Sequence, residues 1–177
     1  MPSRLTSWIR RHRVISSAGA VVLFGCLVVG ATPYAAVLTT AEGWQGYGNG
    51  LMPASKLCRV PGGQKLRCDA AAAYKSLADA YTAHFHTRLC ITDSYRPWRV
   101  QALLLIRKPG LAAVPGTSNH GWGQAVDLCD GINDYGTPEH EWMLANAPAY
   151  GWVSPDWARQ GGPRQEPWHW EFQGVTP

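Results

Sequence analysis

Apolar side chains recur at helical spacing in three stretches of the chain. In the first, Asp69 is a candidate N-cap, and apolar residues three or four positions apart follow it, which predicts an amphipathic helix over about residues 70–86. Residues 97–108 begin with a proline and end before a Pro-Gly pair, a pattern that predicts a second helix. A third helix is predicted over residues 137–147, where a Thr-Pro pair supplies the start.

Short apolar or alternating segments between and after these helices predict strands. They cover residues 88–94, 124–129 and 168–172. Helices and strands follow one another in irregular order, and the connections are too short for repeated parallel crossovers. The pattern therefore predicts an α+β domain in which a small, mostly antiparallel sheet is flanked by about three helices.

A basic segment and an uncharged apolar segment precede this domain. Residues 1–13 carry four arginines, and residues 14–31 carry no charge. An apolar run of about 18 residues lies at the border between a signal peptide and a membrane-spanning helix, so residues 14–38 are predicted to be one or the other. Arginines on the N-terminal flank keep that end in the cytoplasm, and the rest of the chain is exported in both cases. Residues 39–57 are expected to be a linker and residues 58–177 the domain.

The net charge of +4 does not indicate a nucleic-acid partner. Four of the sixteen Lys and Arg residues precede Glu42, which is the first acidic residue, so the remaining twelve balance the twelve Asp and Glu residues. The domain is therefore formally neutral, and it lacks the basic excess that phosphate backbones select.

The cysteines agree with an exported domain. Besides Cys26 there are four, and no CxxC pair suggests zinc or thioredoxin chemistry. Three pairings are possible among Cys58, Cys68, Cys90 and Cys129. We favour Cys58 with Cys68, which closes a short loop, and Cys90 with Cys129, which joins two predicted strands. In the chain-entropy model each bridge stabilises the fold by about 3 kcal/mol.

Two of the six histidines stand in a context that suggests metal binding. His120 lies among glycines, where other groups can approach closely, and His169 alternates with two tryptophans on a predicted strand. Asp127 ends a short apolar run, and a buried carboxylate needs a partner. Two imidazoles and one carboxylate make a three-ligand zinc set that leaves the fourth position for water.

Glu166 completes this arrangement three residues before His169. A carboxylate beside zinc-activated water can take its proton and later protonate a leaving amine. Each residue also has an ordinary explanation, such as a packed histidine or a surface glutamate.

The wider context of these residues resembles a known family. The segment SNHGWGQAVD, residues 118–127, matches the SxHxxGxAxD signature of the zinc D-alanyl-D-alanine carboxypeptidases, which include the vancomycin-resistance type and are similar in fold to hedgehog domains. EPWHWEF resembles the second signature of that family, ExxH in a tryptophan-rich strand, and DSYRPWRVQ resembles its upstream segment. The motifs occur in order over about residues 50–172.

The resemblance implies a role for each matching residue. One zinc ion is bound by His120, Asp127 and His169, and Glu166 is the general base and acid. Arg96 is implied to bind the substrate, at its terminal carboxylate or at the developing oxyanion. Two further residues are implied to line the substrate pocket, Ser118 and Gln101.

We therefore expect a zinc peptidase of the cell envelope that hydrolyses peptidoglycan stem peptides, and most specifically the D-Ala-D-Ala bond. The same zinc chemistry would also suit an L,D-carboxypeptidase or an endopeptidase. A non-catalytic wall-binding module with a structural metal is a third possibility, and a serine hydrolase using Ser118 is disfavoured because no nucleophile elbow is present. A membrane contact is expected only if the N-terminal segment is not cleaved.

Overall fold

The computed structural model describes residues 44–110 and 112–174. The predicted basic segment, the signal peptide or anchor, and residues 39–43 of the predicted linker lie outside these ranges. Within them, no helix is both long enough and apolar enough to cross a membrane.

Three α-helices form where the apolar periodicity predicted them. They are α1 (Cys68–Phe85), α2 (Trp98–Arg107) and α3 (Pro138–Asn146). The hydroxyl of Thr137 accepts a hydrogen bond from the amide of His140 at 3.2 Å and caps the start of α3. The C-terminal end of α1 is closed by His86, which adopts a left-handed conformation and donates its amide to the carbonyl of Thr82 at 2.9 Å.

Two antiparallel sheets account for the strands. The strands are β1 (Leu57–Arg59), β2 (Lys65–Arg67), β3 (Ile91–Asp93), β4 (Ala125–Leu128), β5 (Trp152–Val153) and β6 (His169–Phe172). The first two pair as a small hairpin, and the other four form a sheet in the order β3-β4-β6-β5. The α+β prediction with a small antiparallel sheet and three helices is confirmed.

The core lies between one face of the larger sheet and α1. Val126 and Trp170 point into it from β4 and β6, and both are buried with Leu77 of α1 in one apolar cluster. Tyr74 of α1 contacts Trp152 edge to face, with 6.0 Å between ring centroids. Because side chains alternate along a strand, the polar residues between these apolar ones occupy the opposite face of the sheet.

Part of the predicted linker is an integral piece of the domain. Asn49 and Met52 are each 6% exposed. The side-chain amide of Asn49 donates to the carbonyl of Ser118 at 2.7 Å, and the amide of Met52 donates to the hydroxyl of Tyr95 at 3.0 Å. These residues of the predicted linker therefore bond to two distant segments of the domain, around Ser118 and around Tyr95.

Both preferred disulfides are present. One joins Cys58 of β1 to Cys68 at the start of α1, and the other joins Cys90 to Cys129. The second bridge lies where β3 begins and β4 ends, so it covalently links the two strands that carry one side of the site described below.

Candidate functional site

The strand register places three polar residues in one row across the larger sheet. Asp93 of β3 lies opposite Asp127 of β4, and Asp127 lies opposite His169 of β6. Directly opposed residues of antiparallel strands project from the same face. Residues that are 34 and 42 positions apart in the chain are therefore neighbours.

His120 reaches this row from a short 3-10 turn, Asn119–Trp122, that precedes β4. The turn is held by backbone hydrogen bonds: the amide of Arg96 donates to the carbonyl of His120 at 3.0 Å, and the amide of Gly50 donates to the carbonyl of Gly121 at 2.8 Å. His120 is 3% exposed, so its imidazole is fixed inside the domain.

The two glycines after His120 are required for this turn. A Cβ on Gly121 would collide with the side chain of Asn49 and lie 2.9 Å from the amide nitrogen of Gly50. Gly123 has a positive φ of 64°, and a Cβ there would lie 2.6 Å from the amide nitrogen of Arg67. Side chains at either position would push neighbouring segments away from the site.

Three side chains converge so that each offers one donor atom to a common point. Nε2 of His120 lies 3.3 Å from Oδ1 of Asp127, and Nδ1 of His169 lies 3.1 Å from the same oxygen. One ligand atom from each residue lies within 4.8 Å of the others, a spacing that allows them to hold a metal ion. This is the set that the sequence pattern predicted.

The remaining ring nitrogens of the two histidines have partners that orient the rings. Nδ1 of His120 lies 2.8 Å from the carbonyl of Ser94, and Nε2 of His169 lies 3.0 Å from Oε1 of Glu171. When these nitrogens donate, the lone pairs of His120 Nε2 and His169 Nδ1 point to the common site. Metal-binding histidines have such outer partners as a rule.

The charges in this cluster are strongly coupled. Burial raises the pKa of Asp127, but hydrogen bonds from His120 and His169 outweigh it and hold the pKa well below its usual range. Burial lowers the pKa of His169, but hydrogen bonds to Asp127 and Glu171 outweigh that effect and raise it to about 9. Without a metal ion, the positive charge that balances Asp127 and Glu171 is therefore a proton on His169.

A cleft of about 700 Å³ opens over these residues. Glu166 and Ser118 line it together with the three candidate ligands. The amide of His169 donates to the carbonyl of Glu166 at 3.0 Å, so Glu166 is connected directly to the start of β6. The sequence-predicted acid-base residue and the candidate metal ligands therefore share one cleft.

Arg96 also lines the cleft, but acidic and amide side chains hold its guanidinium. Its Nε and Nη2 donate to Oδ2 of Asp93 at 3.1 and 2.5 Å, and its Nη1 donates to Oε1 of Gln101 at 2.7 Å. Nη2 lies 3.8 Å from Oδ2 of Asp127. A guanidinium has five N–H groups, so two remain for other acceptors.

Gln101 does not line the cleft, which corrects its predicted place in the substrate pocket. Its side chain is 2% exposed, and its Nε2 donates to the carbonyl of Ala113 at 2.7 Å. Gln101 lies on α2, where its buried side chain accepts a hydrogen bond from the guanidinium of Arg96 and positions that group. Sequence spacing alone did not distinguish contact with a substrate from contact with the arginine.

Two acidic residues of the site were missed in the sequence. Glu171 follows His169 by two positions and therefore lies on the same face of β6, a signal that strand alternation contains. Asp93 was not identified because its role depends on pairing between β3 and β4, which no local pattern reveals.

Comparison with known proteins now identifies the family. The family model for VanY, D-alanyl-D-alanine carboxypeptidase, matches residues 63–175, which is more than half of the chain. The chain belongs to the VanY family. A D-alanyl-D-alanine carboxypeptidase of Enterococcus faecalis (strain ATCC 700802 / V583) is 39% identical over 67 residues, 36% of this chain. The match spans 25% of that relative's length.

Solved structures of VanY-type proteins have the same fold. VanYB in complex with D-alanine-D-alanine is similar with a TM-score of 0.55 and 26% identity, covering 70% of this chain and 82% of that chain. A variant of the vancomycin resistance D,D-pentapeptidase VanY in complex with Zn(II) has a TM-score of 0.55 and 24% identity, covering 70% and 83%. The fold implied by the sequence resemblance is confirmed.

Proposed function

We propose that this protein is a zinc-dependent D-alanyl-D-alanine carboxypeptidase that removes the terminal D-alanine of peptidoglycan stem peptides. The observation that carries the proposal is the convergence of His120, Asp127 and His169 in one cleft with Glu166. Membership of the VanY family supports the same reaction.

The donor set fits a zinc ion. Two imidazole nitrogens and one carboxylate oxygen are the ligand types of catalytic zinc sites, in which a fourth position is left for water or substrate. The outer partners of His120 and His169 are those that a metal-binding tautomer requires. A bound zinc ion would polarise the scissile carbonyl and lower the pKa of water.

Glu166 moves the proton in this proposal. Its carboxylate accepts a proton from the attacking water as the oxygen bonds to the carbonyl carbon of the penultimate residue. The C–N bond then breaks, and Glu166 gives the same proton to the departing amine of D-alanine. The products are the shortened peptide acid and free D-alanine, so atoms and protons balance without another reactant.

Arg96 is assigned to the oxygen of the scissile carbonyl rather than to the substrate's terminal carboxylate. Asp93 already neutralises its charge, and three of its N–H groups are engaged by Asp93 and Gln101. The two N–H groups that remain can donate to an oxygen whose negative charge grows during attack. Asp93 and Gln101 keep the guanidinium in that position.

We assign the site of action to the cell envelope, outside the cytoplasm. Two disulfides suit an oxidising compartment, and peptidoglycan lies there. The basic segment over 1–13 and the apolar segment over 14–38 support export, with the domain either anchored to the membrane or released.

The test is digestion of a pentapeptide muropeptide by the full chain, with and without a chelator, followed by mass measurement of the products. We expect the loss of one alanine, and no loss after chelation. Glu166→Ala should abolish turnover while zinc content stays at one ion, and His120→Ala should lose the metal. Substantial turnover by Glu166→Ala would contradict the mechanism.

The products also separate the alternatives. Cleavage of a tetrapeptide but not a pentapeptide would indicate an L,D-carboxypeptidase, and cleavage between two cross-linked stems would indicate an endopeptidase. Binding to cell walls without any product would indicate a wall-binding module.

A further inference from the structure

Three of the acidic residues that line the cleft, Asp93, Asp127 and Glu171, have charged or imidazole partners, whereas Glu166 and two of the cations form no ion pair among the described residues. Asp93 pairs with Arg96, and Glu171 pairs with His169. Lys108 and Arg164 also line the cleft. Among the residues that the structure describes, neither of these two forms an ion pair with an Asp or Glu. The cleft therefore contains two cationic side chains that no carboxylate of the described residues engages in an ion pair.

Backbone hydrogen bonds fix the segment that carries both Arg164 and Glu166. The amides of Arg164 and Glu166 donate to the carbonyls of Trp157 and Ala158 at 3.1 and 2.9 Å. The guanidinium carbon of Arg164 lies 5.8 Å from the centre of the Trp157 ring, and that ring lies 4.8 Å from the ring of His169. Stacking on an aromatic ring leaves the edge N–H groups of a guanidinium free to bind a carboxylate.

Lys108 approaches the cleft from a different element. It directly follows α2, and its amide donates to the carbonyl of Leu104, another residue that lines the cleft. The chain contains no acidic residue from Ser94 to Val126, so nothing nearby along the sequence competes for this ammonium group. Lys108 and Arg164 thus bring two cations to one cavity from two separate loops.

We propose that Lys108 and Arg164 form a subsite that binds a carboxylate of the substrate. This inference rests on the proposed function and extends it. It assigns the substrate's carboxylate to cations other than Arg96, because Asp93 neutralises the charge of Arg96. A carboxypeptidase substrate offers a carboxylate at its C-terminus, and a stem peptide offers another on its γ-linked glutamate. Both sources share the chemistry that this subsite recognises, so amidation of each carboxylate in turn distinguishes them.

The experiment measures peptide binding without turnover. The full chain with Glu166→Gln and bound zinc is titrated with L-Ala-γ-D-Glu-L-Lys-D-Ala-D-Ala, with its C-terminal amide, and with the form amidated at glutamate. Adding Lys108→Gln or Arg164→Gln should raise the Kd for the free peptide about tenfold, as expected for a hydrogen bond to a charged group. One of the two amidated peptides lacks the carboxylate that the subsite recognises. For that peptide, neither substitution should change the Kd.

Arg107→Gln is the matched control, because it removes the same charge from an exposed position beside Lys108 that does not line the cleft. Its Kd values should equal those of the parent. The inference is overturned if Lys108→Gln and Arg164→Gln bind the free peptide as the parent does, if they weaken all three peptides equally, or if the parent binds none. Because the readout is binding, a failure of the protein with unchanged Glu166 to release D-alanine would count against the proposed function and not against this subsite.

Discussion

The imidazole of His169 is held at both of its nitrogens by carboxylates. Asp127 lies on the side that faces the candidate metal site, and Glu171 lies on the other. The negative charge of Glu171 makes the ring a stronger ligand and fixes which nitrogen faces inward. A residue that never touches the metal can therefore set how tightly it is bound.

Glu171→Gln should weaken zinc binding by about tenfold, because a neutral amide keeps the hydrogen bond but removes the charge that favours the metal-binding tautomer. The measurement is competition with a chromophoric chelator. Glu141→Gln, an exposed change on α3, is the control and should leave the affinity as it is. Equal zinc affinities for Glu171→Gln and the unchanged protein would contradict the role given to Glu171.

Gly121→Ala should destabilise the domain by about 1–3 kcal/mol, the usual cost of forcing a methyl group into a packed site. The added Cβ would meet the side chain of Asn49 and the backbone of Gly50, and neither can move without breaking its hydrogen bond to the turn. Urea unfolding measures the loss. Gly48→Ala is the control, because the atom nearest to its added Cβ would be Cδ1 of Leu51 at 3.3 Å, on an exposed side chain. A comparable loss of stability in Gly48→Ala would argue against a specific clash at Gly121.

At the scale of elements, the start of α1 is stabilised by an acidic residue. Asp69 receives hydrogen bonds from Arg67 at 2.6 and 2.7 Å and from the amide of Ala70 at 2.8 Å. Burial raises the pKa of Asp69, but these hydrogen bonds and the charge of Arg67 outweigh it and lower the pKa below 3.8. The depressed pKa means that the folded state holds this proton less tightly than the unfolded state does.

The stability that the charge of Asp69 contributes is therefore present above the unfolded pKa and is lost as pH falls through the folded pKa. Asp69→Asn should lower the free energy of unfolding by less than about 1 kcal/mol at neutral pH, because the side chain is half exposed. The difference should shrink as the pH falls through the folded pKa of Asp69, because the native carboxyl then becomes neutral as well.

Urea unfolding at several pH values checks this dependence. Asp79→Asn is the control, because its ion pair with Lys75 is exposed at both ends and should contribute little at any pH. A difference between Asp69→Asn and the unchanged protein that stays constant as the pH falls would show that charge is not the cause.

At the scale of the whole molecule, the candidate metal site joins parts that are far apart in the chain. His120 lies in the turn before β4, Asp127 lies in β4, and His169 lies in β6 after the third helix. An ion bound by all three would bind the folded state and not the unfolded chain. Metal binding and folding are therefore thermodynamically linked.

Removal of zinc with a chelator should lower the melting temperature of the full chain. At a free zinc concentration of 100 times the Kd, the bound ion stabilises the folded state by about 2.7 kcal/mol. Differential scanning calorimetry measures the change. As the control, His120→Ala protein should melt at the same temperature with and without chelator. If chelator also leaves the melting temperature of the unchanged protein as it is, the predicted linkage is ruled out.

The sequence by itself predicted the three helices, the strands β3, β4 and β6, and the candidate residues of the site, but it did not predict the hairpin of β1 and β2. Periodicity predicted α1, α2 and α3 to within a few residues, because an amphipathic helix repeats its apolar positions locally. The seven candidate site residues were also identified from local motifs, and the structure brings six of them to one cleft. Both preferred cysteine pairs are present, one closing a short loop and the other joining two predicted strands.

Only the tertiary structure decided which residues support those motifs. Glu171, Asp93 and Asn49 act through strand register and through contacts between distant segments, which no local pattern encodes. The same holds for Gln101, which lies behind Arg96 instead of in the cleft. Ligand identity is a property of side-chain chemistry and can be recognised in a motif, whereas charge balance and orientation are properties of the packed fold.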